Sequence, residues 1–554
     1  MNLPLPTRSM FFTAVALAPC VAFAAPVLQP VDREELARLP AAAQCVVAVS
    51  DVHAARATPA GQALEQFLAE VGSWDRSKQA WDALGTSLGF APGEAVARLT
   101  SGRVLFAASG IDTPTPMHAL LGAIPADVER RVRERLRPVP RKIESQTPVL
   151  SLEGGAFSVA TSLGEAADRA NLLIAPRASQ ALFEALLPSL AGHTPKLTLA
   201  MTSAWPSLAG LPAGGIEALF SQPATATSPA RTFALSGDFT SNIVDARFVA
   251  SPDMLAEPAT HPAWPAHAVE LLSRDALLMV AGSPRLDQPA PAGSVDLFAH
   301  PDRTLLATML GNLRLTPELK AHISGIAMFA AQADPAPAAG PTPLALSAAV
   351  PVDDVGAVIG AGDAFMAKFA GAADLVKAGG PLAGASPDAV RVLTVSAKEL
   401  PLLAGAFGAG SGGRGAVGWG FVRSNADPAK GWWVLCVRGG EGQESGAVAG
   451  VQELSAALAE PLDDSGGEVF SLAVRPAELV ARSAAANPAE TRNALRWLTR
   501  VDTQMHRTDS GDYAGTIRLE MNEPLLRAPT GFPWTPLVPA AAVTVPGDST
   551  SGGK

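Results

Sequence analysis

The chain has 554 residues, of which 48% are hydrophobic and 17% are charged, and its formal net charge is −10. The hydrophobic fraction is that of a globular protein with sizeable cores, and the acidic balance argues against nucleic acid as a partner. The 50 glycines and 48 prolines predict long loops between short elements.

The first 24 residues have the pattern of a secretory signal peptide. Arg8 supplies a positive n-region, an apolar run covers residues 10–21, and Ala22-Phe23-Ala24 gives a cleavage site before Ala25. The apolar run is shorter than the roughly 20 residues that span a bilayer. We therefore expect an exported protein, periplasmic or extracellular, with no transmembrane segment in its mature chain.

The three cysteines leave two questions open. Cys20 ends a sequence that resembles a lipobox, although Pro19 argues against lipid modification of Cys20. Cys45 and Cys436 each lie in an apolar, strand-like run, which favours two buried thiols. The alternative is one disulfide between them, which an exported setting permits.

The first half of the mature chain begins with a predicted helix at 34–39 and a strand at 44–50. Pro125 suits the first turn of a charged helix that reaches Arg137. Most of the later elements in this half are strand-like runs a few residues apart. Because short connections force neighbouring strands to run antiparallel, we expect an antiparallel sheet.

Four prolines in the segment Pro252–His267 exclude both a helix and a central strand there. After this segment the chain again predicts a helix and then a strand. A long helix is predicted to begin at Asn487, with Leu498 and Val501 on its apolar stripe. The predicted organisation is a signal peptide at 1–24, domains at 30–255 and 268–527, a Pro-rich linker at 256–267 and a disordered tail at 528–554.

Similar short sequences occur in both halves, which indicates an internal repeat. The landmarks that this similarity aligns are Gly102 with Gly325, Leu199 with Leu472, and Asp238 with Asp512. We therefore predict an α+β protein with two similar halves, each a mainly antiparallel sheet covered by helices. The repeated sequences contain framework residues and no catalytic constellation.

Three framework motifs carry a resemblance to a group of proteins. They are the start Leu39–Val47, the segment Pro59–Gln62, and Leu88-Gly89 leading into the strand at Gly102. With these motifs the first third of the chain resembles bacterial exported proteins of unknown function from GC-rich genomes. The resemblance implies a cell-envelope setting and no particular reaction.

Two clusters are candidate ligand contacts. Arg130 and Arg133 belong to the one strongly basic cluster of the sequence, which could bind an anionic envelope polymer or lipid head group. The structural alternative is a solvated helix face with ion pairs four residues apart, such as Glu129–Arg133. Trp432 and Trp433 could form an aromatic platform for sugars, but strand alternation favours burial in a core.

Other chemical motifs are absent or incomplete. The glycine-rich run 407–415 leads into a strand instead of a helix, so a dinucleotide site is not predicted. The eight histidines show no zinc-binding spacing, and the aspartates near turns lack the pattern of a calcium loop. We expect no cofactor, no metal and no catalytic residues that the sequence itself identifies.

Three functions remain open at this level. The first is an exported, non-catalytic binding or scaffold module of the cell envelope, whose partner is an envelope polymer, a lipid or a protein. The second is an exported hydrolase with a dispersed active site, which sequence motifs do not exclude. The third is a carrier of an apolar ligand, since a sheet covered by helices can enclose a pocket. In each case we expect the ligand to bind between the halves.

Overall fold

A computed structural model describes most of the regular elements of the chain. The described residues are 28–37, 39, 43–62, 82–91, 94–110, 116–139, 149–154, 157–163, 169–190, 205–222, 230–240, 242–252, 268, 271–272, 276–282, 315–323, 327–333, 344–367, 375–376, 390–396, 414–425, 427–439, 442–459, 468–478 and 498–521.

Strands dominate the architecture. The strands are β1 Cys45–Val49, β2 Val104–Ser109, β3 Met117–Pro125, β4 Arg137–Val139, β5 Val149–Gly154, β6 Phe157–Leu163, β7 Arg169–Pro176, β8 Ile216–Gln222, β9 Arg231–Thr240, β10 Ile243–Ala250, β11 Ala276–Gly282, β12 Ala327–Ala333, β13 Leu344–Val352, β14 Leu375–Val376, β15 Arg391–Ser396, β16 Arg414–Arg423, β17 Gly431–Gly439, β18 Glu468–Val474, β19 Leu498–Arg507 and β20 Tyr513–Met521. The helices are α1 Arg33–Ala37, α2 Val52–Ala55, α3 Glu94–Leu99, α4 Ala126–Arg135, α5 Gln180–Leu190, α6 Trp205–Ala209, α7 Pro317–His322, α8 Val355–Ala367 and α9 Glu444–Leu458, with a 3-10 turn at Arg177–Ser179.

All the strands belong to one antiparallel sheet. The pairings give the order β4-β5-β6-β7-β3-β2-β1-β8-β9-β10-β20-β19-β18-β11-β12-β13-β17-β16-β15-β14. The fold is therefore mixed α and β with a large antiparallel sheet. At its two ends lie the short strands β4, which contains Pro138, and β14. Short edge strands and edge prolines limit pairing with other chains.

Helices cover the first face of the sheet, defined as the face that carries Val46 and Ala48 of β1. In the first half, α1, α5 and α6 pack on this face and bury side chains such as Phe183 of α5. In the second half, α9 packs on the same face together with the helical residues at 268 and 271–272. Both cores are apolar, so they hold the helices on the sheet by removing hydrocarbon surface from water.

Other helices cover the outer strands on the second face. In the first half these are α3, α4 and the helical residues 82–88, which pack on β3, β6 and β7. In the second half α7 and α8 pack on β13, β15, β16 and β17. Consequently, helices cover both faces of the outer strands, whereas β9, β10, β19 and β20 carry polar side chains on the first face.

Three expectations are wrong. The chain has one continuous sheet where two separate sheets were expected, because β10 pairs with β20 along eight residues. The alignment of Asp238 with Asp512 fails, since Asp238 lies inside β9 and Asp512 lies in the turn before β20. Leu498 and Val501 belong to β19 and not to a helix, because pairing with β18 and β20 overrides the helical spacing.

Several other expectations lie outside the described residues. These are the signal peptide, the linker from residue 253 onward, the tail, the landmarks Leu199 and Gly325, and the start of the predicted helix at Asn487. The predicted charged helix after Pro125 is present as α4. Among the residues that the structure describes, no helix is long and apolar enough to cross a membrane.

Candidate functional site

The middle of the sheet differs chemically from its flanks. On β9, β10, β20 and β19 the first face carries polar and charged side chains, and we call this surface the central polar face. Its members are Asp238, Asp245, Arg247, Arg500, Asp502, Gln504, Thr516, Arg518 and Glu520.

The strand registers bring these side chains together. One row of residues crosses the four strands: Asp238 of β9 is opposite Asp245 of β10, Asp245 is opposite Arg518 of β20, and Arg518 is opposite Asp502 of β19. Directly opposite residues of antiparallel strands point to the same face, with Cβ atoms about 5 Å apart. Both halves contribute, because β9 and β10 come from the first half and β19 and β20 from the second.

Some charges of the central polar face already have partners. Arg500 donates from Nε to both carboxylate oxygens of Asp502, at 2.9 and 2.7 Å. Asp238 accepts the backbone N–H of Gly215 at 2.7 Å. Burial raises the pKa of Asp238, and this N–H bond partly offsets the increase by stabilising the charged form.

Other charges are exposed and unpaired. Asp245, Arg247 and Arg518 are exposed, and within the described residues none of them makes a hydrogen bond or an ion pair. Glu520 is half-buried and has no such partner in this part of the chain either. The centre of the sheet therefore presents two guanidinium groups and two carboxylates to solvent.

A buried ion pair lies at the margin of the central polar face. Arg33 of α1 donates from Nε to Oε1 of Glu217 in β8 at 2.7 Å, and Ser236 Oγ lies 3.3 Å from the same oxygen. Glu217 is fully buried, and among the described residues its Oε2 has no hydrogen-bond partner. Burial raises the pKa of Glu217, while the Arg33 guanidinium acts in the opposite direction. The pair anchors α1 to the sheet beside β9.

The basic cluster is a solvated helix face. Arg130 is exposed on α4, and Arg133 forms an ion pair with Glu129 four residues earlier. Arg131 forms an ion pair with Glu94 at 3.7 Å. These arginines belong to the second face of the first half, away from the central polar face.

The tryptophans belong to cores. Trp433 is fully buried on the second face, where its ring contacts Phe365 edge-on and stacks with Phe421. Trp419 is also buried, and its Nε1 donates to Asp363 at 3.0 Å. Trp432 is half-buried on the opposite face, against the core below α9. The structure therefore does not bring Trp432 and Trp433 together as a platform, nor does it place them near Arg130 and Arg133.

Further chemical groups do not form a second site. Cys45 and Cys436 are free and buried, so they do not form the disulfide considered above. His322 and Asp353 make a 2.9 Å contact at the surface. Among the described residues, no group of three potential metal ligands is present. A small cavity of about 20 Å³ is lined by Arg103, Asn171 and other residues, which is room for about one water molecule.

The sequence contains a signal for the central polar face that motif reasoning missed. The β10 sequence Ile243–Ala250 and the β20 sequence Tyr513–Met521 alternate polar and apolar residues. Such alternation is typical of a strand with one face on a core and the other in water. Only the pairing of β10 with β20, however, reveals that the two polar faces are continuous.

Searches for related proteins give no match: no protein-family model, no curated protein and no solved structure is similar to this chain.

Proposed function

We propose that the chain contains two copies of one α+β unit and acts as an exported, non-catalytic binding module of the cell envelope. Its partner binds on the central polar face. The observation that carries the proposal is the set of exposed charges, Asp245, Arg247 and Arg518, at the contact between the halves.

The strand pairings support the duplication. In the first half, β1 pairs with β2 and β8, and β3 pairs with β2 and β7. In the second half, β11 pairs with β12 and β18, and β13 pairs with β12 and β17. Under this scheme β18 corresponds to β8 of the first half. The turn before β20 then corresponds to the turn between β9 and β10.

The location of the charges supports a binding role. β10 and β20 are the last strands of the two proposed units, so the central polar face is complete only when both units are present. Exposed charges without partners cost little in water, and they become available to a partner without first breaking an internal ion pair. Export rests on the N-terminal signal sequence and its cleavage site before Ala25.

An envelope-extract pull-down tests this function. The mature protein is compared with the double variant Arg247→Ala/Arg518→Ala and with the control Arg130→Ala/Glu134→Ala, which removes two exposed charges elsewhere. We expect a molecule that both the parent and the control enrich and that the Arg247/Arg518 variant loses. Equal recovery by all three proteins, or turnover of a substrate by the purified protein, would contradict the proposal.

A second candidate function rests on the opposite face of the middle strands. Phe106, Phe220, Phe233 and Phe329 are only partly buried there, in clusters that contain strand residues and no helix residue among the described ones. An apolar-ligand carrier would bind at this surface. A native mass spectrum that shows a co-purified lipid would favour this function, and a spectrum of bare protein would count against it.

A further inference from the structure

A further proposal rests on the proposed function and concerns the chemistry of the partner. We propose that the central polar face binds an extended peptide segment that carries a basic and an acidic side chain two residues apart.

Helices border the central polar face. On the first face, α6 packs on β9 and also contacts β10, and the helical residues 268 and 271–272 belong to the core that contains β11 on the other side. Helix α9 lies farther out, over β15, β16 and β17. Asp245, Arg247 and Arg518 stay exposed between these elements. Strands lie about 4.8 Å apart, so β10 and β19 are separated by about 10 Å, which is wide enough for a single extended chain.

The charges have an order along the strands. Arg518 is level with Asp245 in the β10–β20 register. Glu520 lies two residues to one side of this level, and Arg247 lies two residues to the other side. Within each strand, the carboxylate thus lies two residues, or about 7 Å, from the guanidinium group. This holds for Asp245 and Arg247 on β10 and for Glu520 and Arg518 on β20.

This displacement matches the repeat of an extended peptide. In an extended chain, residues i and i+2 point to the same side and are also about 7 Å apart. A lysine or arginine at one position can face Asp245 and Glu520, while an aspartate or glutamate two residues away faces Arg247 and Arg518. Residues i and i+3 point to opposite sides and cannot do so.

The composition of the face favours a peptide over a glycan. Sugar-binding surfaces use aromatic rings on which pyranose faces stack, and the described residues on the first face of β9, β10, β20 and β19 include no Phe, Tyr or Trp; the ring they do include is the exposed imidazole of His506. The central polar face has unpaired positive and negative charges, so it is complementary to a partner that carries charged groups of both signs. Gln504 and Thr516 are exposed at the same level as Arg247 and supply neutral hydrogen-bonding groups.

Fluorescently labelled, end-capped peptides test the inference by anisotropy at low and high salt. One peptide carries Lys and Glu at i and i+2. The comparison peptides carry Lys and Glu at i and i+3, Lys at both i and i+2, or Glu at both. We expect the first peptide to bind the mature protein at least tenfold more tightly than the other three, with weaker binding at high salt.

Charge reversal provides the second test. The variant Asp245→Lys/Glu520→Lys should lose the Lys–Glu peptide and gain at least tenfold in affinity for the Glu–Glu peptide. Arg130→Ala/Glu134→Ala should leave all four affinities unchanged. Absence of binding, or no preference between the i+2 and i+3 peptides, overturns the inference. If the peptides fail while Arg247→Ala/Arg518→Ala still abolishes capture of an envelope molecule, the proposed function stands and only the peptide assignment falls.

Discussion

The Arg33–Glu217 pair provides a quantitative test of the structure. The substitution Arg33→Met keeps much of the hydrocarbon length and removes the charge that faces the fully buried Glu217 carboxylate. Removing one member of a buried ion pair typically destabilises a protein by about 3–5 kcal/mol, because the other charge stays buried without compensation.

Without Arg33, Glu217 can lose its buried charge by binding a proton. The free energy of this protonation is therefore the upper limit of the electrostatic part of the cost. Protonating a glutamate of ordinary pKa, about 4.5, costs about 1.36 kcal/mol for each pH unit above that value, hence about 3.4 kcal/mol at pH 7 and about 0.7 kcal/mol at pH 5. Burial raises the pKa of Glu217 in the folded state. A group with a raised folded pKa destabilises the fold as pH rises from the unfolded pKa to the folded pKa. Because the Arg33 guanidinium lowers this pKa, its removal raises the pKa of Glu217 further. The cost of Arg33→Met should therefore be larger at pH 7 than at pH 5, by at most about 2.7 kcal/mol, the difference between the two upper limits.

Hydrogen–deuterium exchange of the β1, β8 and β9 amides measures this cost locally. The variant Arg33→Met/Glu217→Gln has no titrating group at the site and should show no such pH difference. Lys430→Met, which breaks the exposed Lys430–Asp427 pair, should cost less than about 1 kcal/mol at both pH values. An Arg33→Met cost that is equal at pH 5 and pH 7, or no larger than that of Lys430→Met, would refute the reasoning.

Three further predictions concern the core and the central strands. Trp433→Ala should lower the free energy of unfolding by about 3–5 kcal/mol in urea denaturation, because it empties a fully buried site; the half-buried Trp432→Ala should cost less. Burial raises the pKa of Cys45 to about 12, and Cys436 is equally buried, so iodoacetamide at pH 8 should label neither thiol until the protein is unfolded, as mass spectrometry will show. Gly515→Val should lower the melting temperature by several degrees, because a Cβ at this position meets the Gln504 carbonyl and the Phe248 ring; an unchanged melting temperature would argue against the β10–β20 pairing.

Local patterns predicted the local structure and failed where distant pairing decides it. The strand alternation around Trp433 and the position of Pro125 are properties of neighbouring residues, and the burial of Trp433 and the helix α4 follow from them. The similar sequences around Asp238 and Asp512 do not reveal that the two segments have different structures. The segment with Asp238 is a strand that pairs with a neighbour on each side. The segment with Asp512 forms a turn, in which Gly511 has a φ of +90°. Of the candidate residues chosen by type, Arg133 is paired with Glu129 on its own helix, and the Trp433 ring is packed inside a core.

The central polar face follows from where the helices end. The outer strands of both halves have apolar side chains and packed helices on both faces. β10 and β20 alternate instead: the short helix α6 contacts β10, but their polar side chains cannot form a continuous apolar contact with a helix layer, and their apolar face joins the core of the middle strands. If each were the last strand of a separate unit, it would be an unpaired edge open to aggregation. Pairing β10 with β20 removes both edges at once and leaves the unpaired charges of two strands on one surface. The same interaction that joins the halves thus creates the surface on which we expect the partner to bind.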